Sequence, residues 1–275
     1  MKKSFQIIIT PERSAAHFFR ELYDYRELLV FLSIRDVLVR YKQTFFGIAW
    51  AVLRPVLTMA IFTFIFGKLA KMPSHGTPYP VLVFTAMLPW QFFSNTVAES
   101  SNSLILNENM VSKVFFPKII IPTSSVMVSL LDFFISFALL VGMLFYYHIW
   151  FNMRIVFLPL FLLLLTLLSL GIGYWLSALN VKYRDFRYVI PFVLQIGLYV
   201  TPVGFSSTVV PDKWKLLYSL NPMVGIIEGF RWVLSGSSAE LYPMGIYLAI
   251  SITLLILFTG VWFFNKNEST FADII

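Results

Sequence analysis

The chain has 275 residues and no cysteine, which excludes disulfides, thiolate metal centres and a cysteine nucleophile. Charge is scarce, at 13% of residues, about half the share in soluble domains. The three histidines, His17, His75 and His148, stand in different segments without an HExxH pattern, so no metal site is expected. A GxxxxGK[ST] phosphate loop is missing: Gly67-Lys68 lacks the upstream glycine and the hydroxyl residue, and ATP is not bound that way. There is no internal repeat, low-complexity tract or linker, and no matched pair of broken helices of the kind inverted-repeat carriers show.

What is present is apolar. Hydrophobic residues make up 58% and the mean hydropathy is +0.78, more apolar surface than a soluble domain of this size can hide. A soluble enzyme, a disordered chain and a nucleic-acid binder are excluded together. Six stretches approach the ~20 apolar residues that a membrane-crossing helix needs: 47–69, 80–98, 122–147, 155–179, 188–205 and 241–264. Pro89 interrupts the second, and Pro191 and Pro202 the fifth, so these two are expected to kink and to face protein rather than lipid. The resulting organisation is a segment 1–46, a membrane domain 47–265 and a tail 266–275, an all-α polytopic membrane protein.

Lys2 and Lys3 are followed by Glu12 and Arg13 before any apolar run, unlike a signal peptide. Residues 14–41 read as an amphipathic helix, with Phe18, Leu22, Tyr25, Leu29 and Leu32 on one stripe and Arg20, Asp24, Glu27 and Arg35 mostly off it. It either lies at the membrane interface or packs on a partner. Of the 21 Lys and Arg, fourteen fall on the side of 1–46, 99–121, 180–187 and the tail and six on the other. This places both termini in the cytoplasm, and the net +7 is sidedness rather than a nucleic-acid footprint.

Between spans five and six, Asn221 fits an N-cap, Pro222 the first helical position and Gly236 the stop of a helix. Its body, 222–234, is about 20 Å long, too short to cross. With the preceding turn 211–220 it forms either two short re-entrant helices or a surface hairpin; Glu228 and Arg231 can pair on one face. Deep in the spans stand one acid, Asp132, and one base, Arg54, each requiring a partner or water. They are expected to approach each other or share a polar network, unless Arg54 snorkels to the interface. One intramembrane acid argues against a proton-driven carrier. The lone Gly171-Ile172-Gly173 reads as helix packing.

Several segments follow one another along the chain: Arg35-Asp36-Val37-Leu38-Val39-Arg40-Tyr41-Lys42, Gly47-Ile48-Ala49-Trp50-Ala51-Val52-Leu53-Arg54-Pro55, the run from Leu104 through Asn107-Glu108-Asn109 and Lys113 to Phe115-Phe116-Pro117-Lys118, then Pro122, Asn180-Val181-Lys182-Tyr183-Arg184-Asp185, Thr201-Pro202-Val203 and Asn221-Pro222 with Arg231 beyond. Taken in this order, they resemble the membrane subunits of ABC-2 type transporters that export bacterial polysaccharides. The resemblance covers nearly the whole chain. It implies a type V-like exporter fold and a homodimer on two separate ATP-binding subunits, with no cofactor in this chain and ATP and Mg on the partner. The cargo would be a polyprenyl-diphosphate-linked polysaccharide, O-antigen first, leaving the bacterial cytoplasmic membrane. Alternatives are a capsule, teichoic-acid or drug-type permease, a membrane glycosyl- or acyltransferase, and a scaffold. The resemblance also makes Asn107, Glu108, Asn109, Lys113, Phe115, Phe116, Pro117, Arg184 and Asp185 ATPase-coupling residues, against an ordinary loop. The short external helices become an outer gate, with Glu228 and Arg231 among its residues. Aromatic faces suit sliding sugars, and Trp90, Phe92, Phe93, Tyr199, Phe205, Trp214, Tyr218, Phe230 and Trp232 are the candidates. About a third are expected to touch glycan, because most aromatics in membrane proteins are core or belt.

Overall fold

The structure, a computed structural model, describes residues 22–42, 49–74, 76–234 and 241–274. Phe18, Arg20 and Gly236 lie outside the described residues, as does the expected boundary at 46/47. The long helices start where proline suits the first turn, whose N–H groups need no intrahelical partner: Pro80, Pro159 and Pro243 occupy those positions. Pro122 likewise sits in the first turn of its helix, which begins two residues earlier than expected.

In chain order the helices are α1 (Arg26–Lys42), α2 (Ala49–Phe62, continued by a π-helix Thr63–Leu69), α3 (Tyr79–Leu106), α4 (Glu108–Lys113), α5 (Ile120–Tyr146), α6 (Leu158–Lys182), α7 (Phe186–Val200), α8 (Asp212–Tyr218), α9 (Pro222–Leu234), α10 (Pro243–Asn267) and α11 (Phe271–Ile274). Five helical stretches are long and apolar enough to cross a membrane: Val52–Leu69, Tyr79–Leu106, Ile120–Tyr146, Met153–Lys182 and Pro243–Thr270. The expected fifth span is shorter than its apolar run. Pro202 disfavours helical backbone at Thr201, which is extended at ψ 150, and α7 stops after 15 residues.

α3 is the centre of the bundle, with 78% of its apolar window buried. The proline-bearing α3 therefore faces protein, as its sequence suggests. The other, α7, buries only Ile190 within this chain. α6 and α10 run side by side, and the glycines make this possible. A Cβ on Gly260 would lie 2.3 Å from the Gly171 carbonyl oxygen, and one on Gly173 would lie 2.3 Å from Ser100 Oγ. The paired glycines are thus packing devices. Trp175 stacks on Phe263 at 4.1 Å just below this crossing.

The core has two parts. The larger joins α3, α5, α6 and α9. The smaller lies at the end of the bundle that carries α4, and combines Leu32, Leu104, Val111, Phe116, Tyr174, Phe264 and Phe271. The stripe Leu22, Tyr25, Leu29 and Leu32 of the first helix packs on this second core. A different apolar set, Val30, Phe31, Ile34 and Leu38, remains 50–65% exposed. The helix is apolar on two faces, one spent on protein and one open. Ser124 Oγ of α5 donates to Asp36 at 3.3 Å and Arg40 reaches Asp132 eight residues further along α5, so α1 packs along part of α5.

Candidate functional site

Three groups of predicted residues can now be placed. The first is the α4 end. α3 does not stop at residue 98 but runs to Leu106, so much of the expected loop 99–121 is buried helix. Its end is fixed by Asn107, whose Nδ2 donates to the Ser103 carbonyl at 2.8 Å and whose Oδ1 accepts from Arg35 at 2.8 Å. Val111 is buried and holds α4 against the core. Glu108, Asn109 and Lys113 face outward, with Lys113 Nζ bonded to Asn109 Oδ1 at 3.1 Å. The two phenylalanines separate. Phe115 is 66% exposed next to exposed Val114, whereas Phe116 is 5% exposed and fills this chain's own core with Phe271. Phe116 and buried Pro117 therefore do not project toward a partner as expected; a side chain already sealed in one core cannot also plug another groove. Arg184 and Asp185 are exposed at the start of α7. Asn180 Nδ2 donates to the Ser101 carbonyl at 2.9 Å, which sets the ends of α6 and α3 level.

The second group is the polar centre. Asp132 does not pair with Arg54. Arg40 Nη2 reaches Asp132 Oδ2 at 3.0 Å, Arg40 also bonds Glu99, and the Tyr41 hydroxyl donates to Asp132. One guanidinium thus ties α1 to α3 and α5. Burial, and next the hydrogen bond to Asp132, hold the Tyr41 phenol above the usual tyrosine range. Arg54 lines the same cleft, about 280 Å³ in volume, together with Trp50, Gln91, Asn95, Ser129, Asp132 and Ser136. The two residues thus share a cleft, but the bonds to Asp132 come from Arg40 and Tyr41, which the sequence reading passed over. A signal was available. Gln91, Asn95, Glu99 and Asn102 recur at helical spacing down α3, and Ser125, Ser129, Asp132 and Ser136 do so on α5. The cleft lies where the two polar stripes meet.

The third group is the far end. α9 occupies the residues expected for it, and Asn221 caps it by accepting from the Met223 amide at 3.1 Å. Arg231 is buried, 3.4 Å from Glu228 and from the carbonyl oxygens of Leu82 and Val203. Tyr218 donates to the Val200 carbonyl at 2.9 Å and Tyr79 to that of Gly204. The turn after α7 is therefore held from α3, α8 and α9. Trp90, Phe92, Phe93 and Phe230 are at most 7% exposed and belong to the core; Trp90 packs where α7 carries Gly197, and Phe230 meets Phe133 edge-on at 6.0 Å. Trp232 is half-buried under the Arg154 guanidinium at 4.9 Å, and Phe205 and Tyr218 are also half-buried. Only Tyr199 and Trp214 of this set are mostly exposed, at 59% and 51%.

Long apolar helices around a buried central helix, with polar side chains seamed between them, define a polytopic helical membrane protein. The profile of the ABC-2 type transporter family matches residues 27–235, and the chain belongs to that family. Among curated relatives, the O-antigen export system permease protein RfbA of Myxococcus xanthus is 29% identical over 259 residues, 93% of this chain and 98% of that protein. A Klebsiella pneumoniae RfbA is 28% identical over 250 residues, 90% and 95% of the two chains. The polysialic acid transport protein KpsM of Escherichia coli is 24% identical over 240 residues, 86% and 92%.

Proposed function

We propose that this chain is the permease subunit of an ATP-driven exporter that moves a lipid-linked polysaccharide, O-antigen in the first instance, out across the bacterial cytoplasmic membrane. The observation that carries this reading is the similarity to O-antigen export permeases over at least 90% of the chain. The chain has no phosphate loop, so ATP and Mg belong to a separate partner. It works as a homodimer on two copies of that ATPase. In this reading α7 is a sixth, short span and α8 and α9 dip into the outer leaflet, giving a type V-like exporter with both termini in the cytoplasm.

The α4 end then meets the ATPase. Exposed Val114 and Phe115 stand between Val111 and Phe116, which are buried in the core, and an exposed apolar pair on a packed base is the anatomy of an interface anchor. Arg184 and Asp185 lie exposed for a second contact. At the far end, Tyr199 and Trp214, with half-buried Phe205, Tyr218 and Trp232, keep ring faces accessible near an outer mouth. When the ATPases close on ATP, they push the α4 tips and shift the two permeases relative to one another.

The test is deletion of the chain in its own cell, followed by surface-glycan staining and by affinity capture of the tagged chain. Loss of surface glycan, with lipid-linked glycan accumulating inside and an ATPase co-purifying, supports the reading. Unchanged surface glycan, or capture without an ATPase, overturns it.

A further inference from the structure

The cleft between α2, α3 and α5 holds polar groups that no contact within the chain explains. The side-chain amides of Gln91 and Asn95, one turn apart on α3, stand at its wall on half-buried residues and make no hydrogen bond with a described residue. Arg54 points into the same space with no ion pair to a described residue. Opposite them stand Ser136 and Asp132 on α5, and half-exposed Trp50 stands on α2. Polar side chains at membrane depth require water, protein or ligand partners.

The chemistry of the lining selects among ligands. Amide, carboxylate and guanidinium groups are planar and present paired donors or acceptors at fixed spacing, which matches neighbouring hydroxyls on a ring. The indole of Trp50 offers a flat face to C–H bonds. A hydrocarbon tail would leave the amides unmet. A bare phosphate would meet Arg54 but also face the Asp132 carboxylate, whose compensating guanidinium, Arg40, is already shared with Glu99. A neutral polyhydroxyl ring uses every group. At about 280 Å³ the cleft is near the small end of ligand sites, suited to one ring rather than a length of polymer.

We propose that this cleft is a sugar-binding site that seats a single pyranose ring of the cargo, midway along α3 and α5. The proposal rests on the export reading above and adds where, and by which groups, the glycan is held before it reaches the far end. The chain's lack of cysteine makes the site addressable. In the full permease–ATPase complex, Asn95→Cys introduces one thiol in the cleft and Val209→Cys one in the exposed turn beyond α7. The rate of N-ethylmaleimide labelling is measured with undecaprenyl diphosphate carrying one N-acetylhexosamine, and with undecaprenyl diphosphate alone.

At ten times Kd, mass action leaves about one site in eleven free, so labelling at position 95 slows about tenfold with the sugar-bearing lipid. It stays unchanged with the bare lipid, and position 209 is unaffected by either. Equal slowing by both lipids makes the cleft a headgroup site and overturns the proposal. No slowing by either makes it a water-filled recess and overturns it too. If Asn95→Cys does not assemble, Gln91→Cys one turn away gives the same readout. Surface glycan measured in the same cells separates the two ideas: export that continues while the thiol stays unprotected sinks the cleft alone, whereas glycan that reaches the surface without this chain sinks the export reading.

Discussion

Replacing Arg40 by alanine removes the guanidinium that joins Glu99 on α3 to Asp132 on α5. At 3.0 Å and an effective dielectric near 20, the Arg40–Asp132 attraction is about 5.5 kcal/mol before desolvation. Desolvation cancels much of that gross figure in the intact pair. It is not recovered when only one partner is deleted, because two carboxylates are left facing each other in a partly buried site; in fully buried sites such deletions cost about 3–5 kcal/mol. Arg40 and Glu99 keep 31% and 35% of their side-chain surface while Asp132 keeps 14%, so the lower end, about 3 kcal/mol, applies. For a chain of 275 residues that corresponds to a fall in Tm of about 5 °C, read by thermal unfolding of the purified protein in detergent. Arg40→Ala combined with Asp132→Asn and Glu99→Gln should regain most of it, since no buried charge then lacks a partner. A fall below about 2 °C for Arg40→Ala, or a triple variant no better than the single one, would refute the reasoning.

Phe115 and Phe116 should behave oppositely. Phe115→Ala should weaken ATPase capture about 30-fold, as for a hot-spot anchor, with Tm unchanged, whereas Phe116→Ala should cost about 3–5 kcal/mol of stability. Comparable effects on both readouts would contradict the placement of the two rings. Gly260→Leu should cost at least about 1–3 kcal/mol, seen as lost folded yield, because its Cβ alone meets the Gly171 carbonyl at 2.3 Å; a neutral result would mean that α6 and α10 do not cross there. The raised Tyr41 pKa makes the folded state hold its proton more tightly than the unfolded one. Its contribution is complete below the unfolded value of about 10 and is lost as pH rises through that value toward the folded one. Tyr41→Phe should therefore flatten the alkaline decline in Tm, and identical slopes in the two proteins would remove that role.

Element positions were largely legible because helix punctuation is local. Asn221-Pro222 begins a helix at Pro222, and the proline-led starts of α6 and α10 follow the same logic. Glu99 illustrates what was not. A hydropathy reading ends a span at a charge, yet a carboxylate can stay inside a helix bundle if a guanidinium from elsewhere in the chain reaches it, and Arg40 lies 59 positions away. The aromatic residues divide between core and surface for a related reason. Period and composition show that Trp90, Phe93 and Phe230 are apolar; which face of a helix meets protein and which meets a lumen depends on neighbours that are distant in sequence. The first helix has two apolar faces, and the stripe that stands out in the sequence is the one packed inward.

Helix α3 touches every place of interest: Leu82 near its start accepts from Arg231, Gln91 and Asn95 line the cleft in its middle, and Asn107 closes its other end at α4. Its 28 residues make a rod of about 42 Å with few exposed hydrogen bonds to fray. Pivoting such a rod by about 5° displaces one tip relative to the other by about 4 Å, close to the width of a sugar ring. A displacement of α3 as one body would therefore move the contacts at both of its ends together, with no helix needing to melt.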